Sequence, residues 1–196
     1  MIVAVVAIVA ALLQPTQGST ERSIIVDKSP EVVYVELMSF ENFNKWSPWF
    51  TIDPNTEYEY TGPETGVGAK MAWTSDHPDV GTGSQEIIEV EKNRKIVTKM
   101  DFGFDGDYYA DFILEPQGNG TKITWVYRYE NLNPFSALMS SIFDAETMVG
   151  EDYEIGLKNF KNYIETKTVL DPIQIEAEEI EGDSLARDSV VVEEDM

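Results

Sequence analysis

The sequence contains no cysteine and a single histidine, His77. Disulfides, thiolate nucleophiles and cysteine-ligated zinc are therefore absent, and no site within one chain can use two imidazoles. Basic residues are few: 14 Lys and Arg stand against 36 Asp and Glu, a net charge of -22. Nucleic-acid binding replaces counterions with clustered Lys and Arg, so this balance argues against it. It also opposes docking on anionic lipid head groups. No apolar run reaches the ~20 residues of a full membrane span. The longest is Met1–Leu13, thirteen residues without a polar side chain.

What is present is ample for a core. The chain has 196 residues, 42% hydrophobic and 11% aromatic, which predicts one folded domain with tails. Residues 1–19 form an apolar N-terminal segment, read as a membrane anchor or a signal-like peptide, or else as a buried element of the fold. On the anchor reading the protein is membrane-associated; if the segment is cleaved or truncated, it is exported or cytoplasmic. Residues 20–168 form the globular domain. Residues 169–196 form an acidic tail expected to be disordered: from 171 onward it carries ten acids against one Arg, Arg187, and no aromatic residue,. The alternative readings of this tail are the start of a second domain or a docking segment.

Between the tails the apolar period changes twice. Arg22–Asp27 alternates and predicts a strand. Ser29-Pro30-Glu31 is a helix start, with a hydroxyl, a proline at the first helical position and an acid near the positive dipole end. Val32, Val33, Leu37 and Phe40 follow at helical spacing. A second short helix is expected over Glu41–Trp46, ending at Ser47-Pro48. From Glu57 to Glu130 the period is two. Val67, Ala69, Met71 and Trp73 share a face, as do Ile88 and Val90. So do Ile96, Met100, Phe102 and Phe104, then Tyr108, Ala110, Phe112 and Leu114, then Ile123, Trp125, Tyr127 and Tyr129. Asp105-Gly106 between two such runs is a hairpin signal. After Pro134 the helical period returns, through Phe135, Leu138, Met139, Ile142 and Phe143 and then Val149, Tyr153, Leu157, Phe160 and Ile164. Glu151, Asp152, Lys158 and Lys161 are expected outside. Gly150 and Gly156 mark a close approach of this helix to a neighbour, or a bend.

These elements predict an α+β fold: a curved antiparallel sheet of about six or seven strands, wrapped round a long C-terminal helix, with two short helices after the first strand. An apolar sheet face and an amphipathic helix must bury each other. The large side chains aimed between them are Met71, Trp73, Phe102, Phe104, Tyr108, Phe112, Trp125 and Tyr127 from the sheet. Met139, Met148, Tyr153 and Phe160 come from the helical end, and Trp46 and Trp49 from the short helices. They either fill a core or line a cavity for an apolar ligand.

The chain resembles the polyketide cyclase/dehydrase and lipid-transport group of the START-like (SRPBCC) superfamily. The matching segments are E-R-S-I-I-V at 21–26, S-P-E-V-V-Y at 29–34, N-K-W-S-P-W at 44–49, G-x-G at 66–68 with Trp73, and V-G-x-G at 80–83. F-x-L-E-P at 112–116, G-T-K-I-T-W at 120–125 and M-V-G-E-D-Y-E-x-G-L-K-N-F-K at 148–161 complete the set. The resemblance covers residues 20–166 and implies a helix-grip fold with a cavity for a hydrophobic ligand: a lipid, a sterol or a polyketide-like molecule.

Catalytic constellations are weak by comparison. His77 lies in the turn-rich stretch Ser75–Asp79, where sequence neighbours rarely assume a Ser-His-Asp geometry. Gly62, Gly66 and Gly68 lack the Lys-Ser/Thr of a phosphate loop and read as turn glycines. Asp105/Asp107 and Glu151/Asp152 read as solvated charge. Arg128 reaches a cavity only if its strand is read in the opposite register. No catalytic residue, metal or cofactor is expected, and the partner is a small hydrophobic or amphipathic ligand. The competing readings are a cyclase, aromatase or dehydratase, which needs a positioned acid or base in the cavity, and a co-chaperone-like interaction module, which would have a filled one.

Overall fold

The computed structural model describes residues 11–130, 132–142 and 145–167. Most of the apolar N-terminal run, and the acidic tail, lie outside these residues. Among the described residues no helix is long and apolar enough to cross a membrane.

The first strand, β1 (Gly18–Val26), leads into three short helices: α1 (Pro30–Leu37), α2 (Phe40–Phe43) and α3 (Pro48–Ile52). Six strands follow: β2 (Glu57–Thr61), β3 (Lys70–Thr74), β4 (Thr82–Glu91), β5 (Lys95–Asp101), β6 (Asp107–Gln117) and β7 (Gly120–Glu130). Two helices close the domain, α4 (Pro134–Ile142) and α5 (Ala145–Thr166). The seven strands form one antiparallel sheet in the order β1-β7-β6-β5-β4-β3-β2. The meander β2–β7 is local, whereas β1 pairs with the last strand, Gly18 opposite Tyr129 and Val26 opposite Thr121. This is the expected helix-grip architecture. It has a third short helix, because Pro48 occupies the first turn of α3 as well as following α2. Proline is tolerated there, where the missing N–H has no intrahelical partner.

Alternation reads β6 and β7 correctly: Ala110, Phe112, Leu114, Ile123, Trp125, Tyr127 and Tyr129 are all buried. It misreads β4. A bulge between Ile87 and Glu89 shifts the register. Ile87 is therefore the fully buried residue, and Ile88 is 40% exposed. An extra residue in one strand inverts the parity of everything beyond it. On the outer face of β6, Asp111 is buried rather than solvated. It accepts from Arg128 Nε at 3.0 Å, and the Arg128 guanidinium lies 3.7 Å from the Tyr109 ring centroid. Arg128 thus takes no part in the inner face.

The long helix α5 lies along β1 and β7. Its buried stripe is Tyr153, Leu157, Phe160 and Ile164, one or two turns apart. Tyr153 stacks on Trp125 at 3.7 Å between centroids, with the rings 11° from parallel. Phe112 stacks on Trp125 at 4.9 Å, and Trp46 meets it edge-on at 5.5 Å. Such pairs add about 0.5–1.5 kcal/mol each to the burial of their area. The helix is pinned at its C-terminal half too, where the Tyr163 hydroxyl donates to the buried Glu36 of α1 at 3.0 Å.

Both helix glycines mark close approaches. A Cβ on Gly156 would meet Trp125 Cζ3 at 2.8 Å and Pro48 Cδ at 3.2 Å. The nearest atoms a Cβ on Gly150 would meet all belong to the guanidinium of Arg22, the far end of a flexible side chain that donates to Thr20 and to the Glu21 carbonyl. The same substitution should therefore have two outcomes. Gly156→Ala should lose about 1–3 kcal/mol to overpacking, in spite of the ~1 kcal/mol that alanine gains in a helix. Gly150→Ala should be neutral or up to ~1 kcal/mol stabilising, because Arg22 can move aside. Urea unfolding of the two variants measures both; equal losses would show that Gly156 is not held by the Trp125 ring.

Candidate functional site

The C-terminal half of α5 packs directly on the sheet. Towards its N-terminal half a cavity of about 210 Å³ opens between helix, sheet and the α2–α3 segment. Tyr58, Met71, Trp73, Met100, Phe102 and Tyr127 supply the sheet wall. Phe43 and Trp49 close it from the short helices, and Val149 and Tyr153 from α5. Asp79 and Val80, on the β3–β4 turn, face Asp152 of α5 across the mouth.

Six of the residues named from the sequence border this space: Trp49, Met71, Trp73, Phe102, Tyr127 and Tyr153. Trp46, Phe112, Trp125 and Phe160 lie in the solid core beside it, each 5% exposed or less. There Trp46 meets Phe160 edge-on at 5.1 Å. Tyr108 packs behind Phe102 at 5.5 Å, and Met139 is half-buried on α4, away from the cavity. Two placements must be corrected. Phe104 is 71% exposed: β5 ends at Asp101 and Gly103 takes φ +73°, so strand parity no longer applies. Met148 is 59% exposed, because five residues at ~100° each carry it about 140° round the helix from Tyr153.

The polar part of the lining is what periodicity missed. Gln85, 8% exposed, sits opposite Met71 and Met100 on the inner face. It was hidden by the bulge that inverts the β4 pattern. Asn44 donates through Nδ2 to the Tyr60 hydroxyl, leaving a buried Oδ1 without a partner. Asp152, expected outside with Glu151, instead lies at the cavity. Its spacing of three residues from Val149 places it on the edge of the buried stripe, a signal the sequence did contain. Burial raises the Asp152 carboxyl above its ordinary range, the Trp49 indole donates to it and opposes that rise, and Glu151 and Asp79 push it further up. Burial also raises the phenols of Tyr127 and Tyr153, so both hydroxyls stay protonated and neutral.

The Ser75–Asp79 stretch forms a structural turn. Ser75 Oγ donates to Asp53 and accepts from the His77 backbone N–H, while His77 Nδ1 accepts from the Asp79 N–H at 3.2 Å. The imidazole does not contact the serine, and no catalytic relay is assembled. Among the described residues no three His, Asp or Glu side chains converge as metal ligands.

Asp152 supplies a pH test. A carboxyl whose pKa is raised on folding holds its proton more tightly in the folded chain. It therefore opposes folding at neutral pH, and the opposition fades as pH falls through the raised value towards 3.8, the ordinary one,. Asp152→Asn should raise Tm by a few degrees at neutral pH and leave it unchanged in strong acid. Thermal unfolding across this range reads the effect; a Tm gain that is independent of pH would mean the charge is not its source.

The fold and the cavity have known counterparts. The family model described as "Polyketide cyclase / dehydrase and lipid transport" matches residues 17–165. No curated protein matches the chain. A protein from Chromobacterium violaceum superposes with a TM-score of 0.54 at 17% identity, covering 76% of this chain and 98% of its own. The Aha1 dimer from Colwellia psychrerythraea gives 0.54 at 15%, covering 78% and 99%. A protein from Nitrosospira multiformis gives 0.55 at 18%, covering 75% and 96%. At these identities the solved structures establish the fold. The family match, which begins at the residue before β1 and runs to the last turn of α5, establishes more: the chain belongs to the START-like polyketide cyclase/dehydrase and lipid-transport family.

Proposed function

We propose that the protein binds, and can carry, a small hydrophobic or amphipathic molecule without covalent chemistry. The observation that carries this reading is the aromatic-walled cavity between α5 and the sheet, in a family whose fold binds ligands. Burial is the mechanism. Each ~100 Å² of apolar ligand surface withdrawn from water contributes about 2.5 kcal/mol. At about 210 Å³ the space suits one ring system or one alkyl chain rather than a two-chain lipid. Ordinary drug-sized pockets run to ~300–1,000 Å³.

One observation favours an enzyme as the second reading: Asp152 is an inward carboxyl whose pKa burial raises above its ordinary range, the direction in which a general acid is tuned. It stands at the mouth, however, and the groups deeper in the cavity are the neutral Gln85 and Tyr127. No acid–base pair brackets a substrate there. The co-chaperone-like reading expected a filled cavity, and an open one gives it no support.

Native mass spectrometry of the full chain, followed by denaturation and extraction, should yield a co-purifying hydrophobic molecule. A titration with the neutral dye N-phenylnaphthylamine makes the same test without a natural ligand. Val80 lines the mouth on an exposed turn, so Val80→Trp should block the cavity and weaken dye binding on the order of tenfold, with little change in Tm. Undiminished dye binding by this variant would place the dye elsewhere and count against the cavity as the site.

A further inference from the structure

The lining carries charge of one sign. Asp79 and Asp152 face each other across the mouth, and among the described residues that border the cavity there is no Lys, Arg or His. A buried carboxylate is costly unless a counter-charge or several donors satisfy it. Asp152 is half-buried and has the Trp49 indole N–H as its donor, while its nearby charges, Glu151 and Asp79, are repulsive. His77 Nδ1 lies 3.9 Å from the Asp79 carboxylate, but His77 does not border the cavity. Asn44, also in the lining, has a buried Oδ1 acceptor without a donor. The Gln85 amide borders the same space. The rings of Phe43, Trp49, Tyr58 and Trp73 border it, and aromatic faces attract cations. The whole chain, at -22, adds a field that concentrates cations and repels anions.

We propose that the cavity takes amphiphiles whose polar end is a protonated amine, and discriminates against those ending in a carboxylate. This rests on the ligand-binding reading above and narrows it. The apolar body occupies the aromatic space between Tyr58, Trp73 and Tyr153. The ammonium stays at the mouth, where its N–H groups donate to Asp152 and Asp79. Charge-assisted bonds of this kind are the stronger class of hydrogen bond. A fatty acid in the same pose would set a third carboxylate beside two, with no cation to receive it.

The test is competition against N-phenylnaphthylamine on the full chain at low salt, with decylamine, decanol and decanoate as probes. They share one apolar body and differ in the end group. Decylamine should bind on the order of tenfold more tightly than decanol, and decanoate most weakly; one such factor is ~1.4 kcal/mol. In the double variant Asp79→Asn/Asp152→Asn the amine-to-alcohol ratio should fall towards one, with dye binding as the check on folding. Decanoate binding as well as decylamine would overturn the proposal and leave the binder reading standing. So would an amine preference that survives the double variant, since the general negative field would then be its source. Failure of the dye and all three probes to bind would overturn the binder reading, and this inference with it.

Discussion

Everything in this domain is arranged about the contact of Trp125 with Tyr153. The two rings lie 3.7 Å apart and nearly parallel, which sets the distance between helix and sheet at one point. Gly156 allows the approach, one turn further along α5. On the C-terminal side of the stack, Leu157, Phe160 and Ile164 fill the gap completely. On the N-terminal side Val149 and Asp152 border open space instead, and the cavity lies there. Tyr153 belongs to both regions: one of its faces is core, and its surroundings include the ligand space. The stack is therefore the floor of the site as well as the keystone of the fold.

This dual role explains which parts were legible in the sequence. Trp125, Phe112 and Phe160 announce a buried aromatic layer through simple alternation and helical spacing, and the antiparallel sheet with its closing helix follows from the same patterns. Periodicity cannot distinguish a ring that fills a core from one that walls a cavity, because both face inward. Hence Trp46 and Trp73 looked alike, though the first packs solidly and the second borders open space. Where backbone regularity breaks, the pattern fails outright. Gly103 turns Phe104 out to solvent, and the bulge at Ile87 and Glu89 exchanges the faces of β4. Asp152 went unrecognised for another reason. A charged residue beside Glu151 looks solvated, and its three-residue spacing from Val149 was outweighed by that charge.

The charge of the protein is not uniform decoration. Most acids in the folded part are exposed, and several are matched locally: Glu115 with Lys122, Asp107 with Lys99, Glu154 with Lys158. Exposed pairs of this kind contribute little to stability. Asp111 and Asp152 differ because they are withdrawn from water. Asp111 has Arg128 as its counter-ion. Asp152 has the Trp49 indole, which is a donor without a charge. Asp152 also borders the cavity, where no cation is present among the described lining residues, so its carboxylate is available to something else.

The pairing of β1 with β7 bears on how the chain assembles. Gly18–Val26 must find Thr121–Tyr129, a partner about a hundred residues downstream. The six other strands need only their neighbours. Non-local pairing is the slow part of folding, since loop closure must precede any gain from contact. During synthesis the meander can form as it leaves the ribosome, while Ser23-Ile24-Ile25-Val26 waits with its backbone N–H and C=O groups unpaired. Helix α5, which lies across both β1 and β7, emerges later still. The domain is thus closed last, by its first strand and its last helix together.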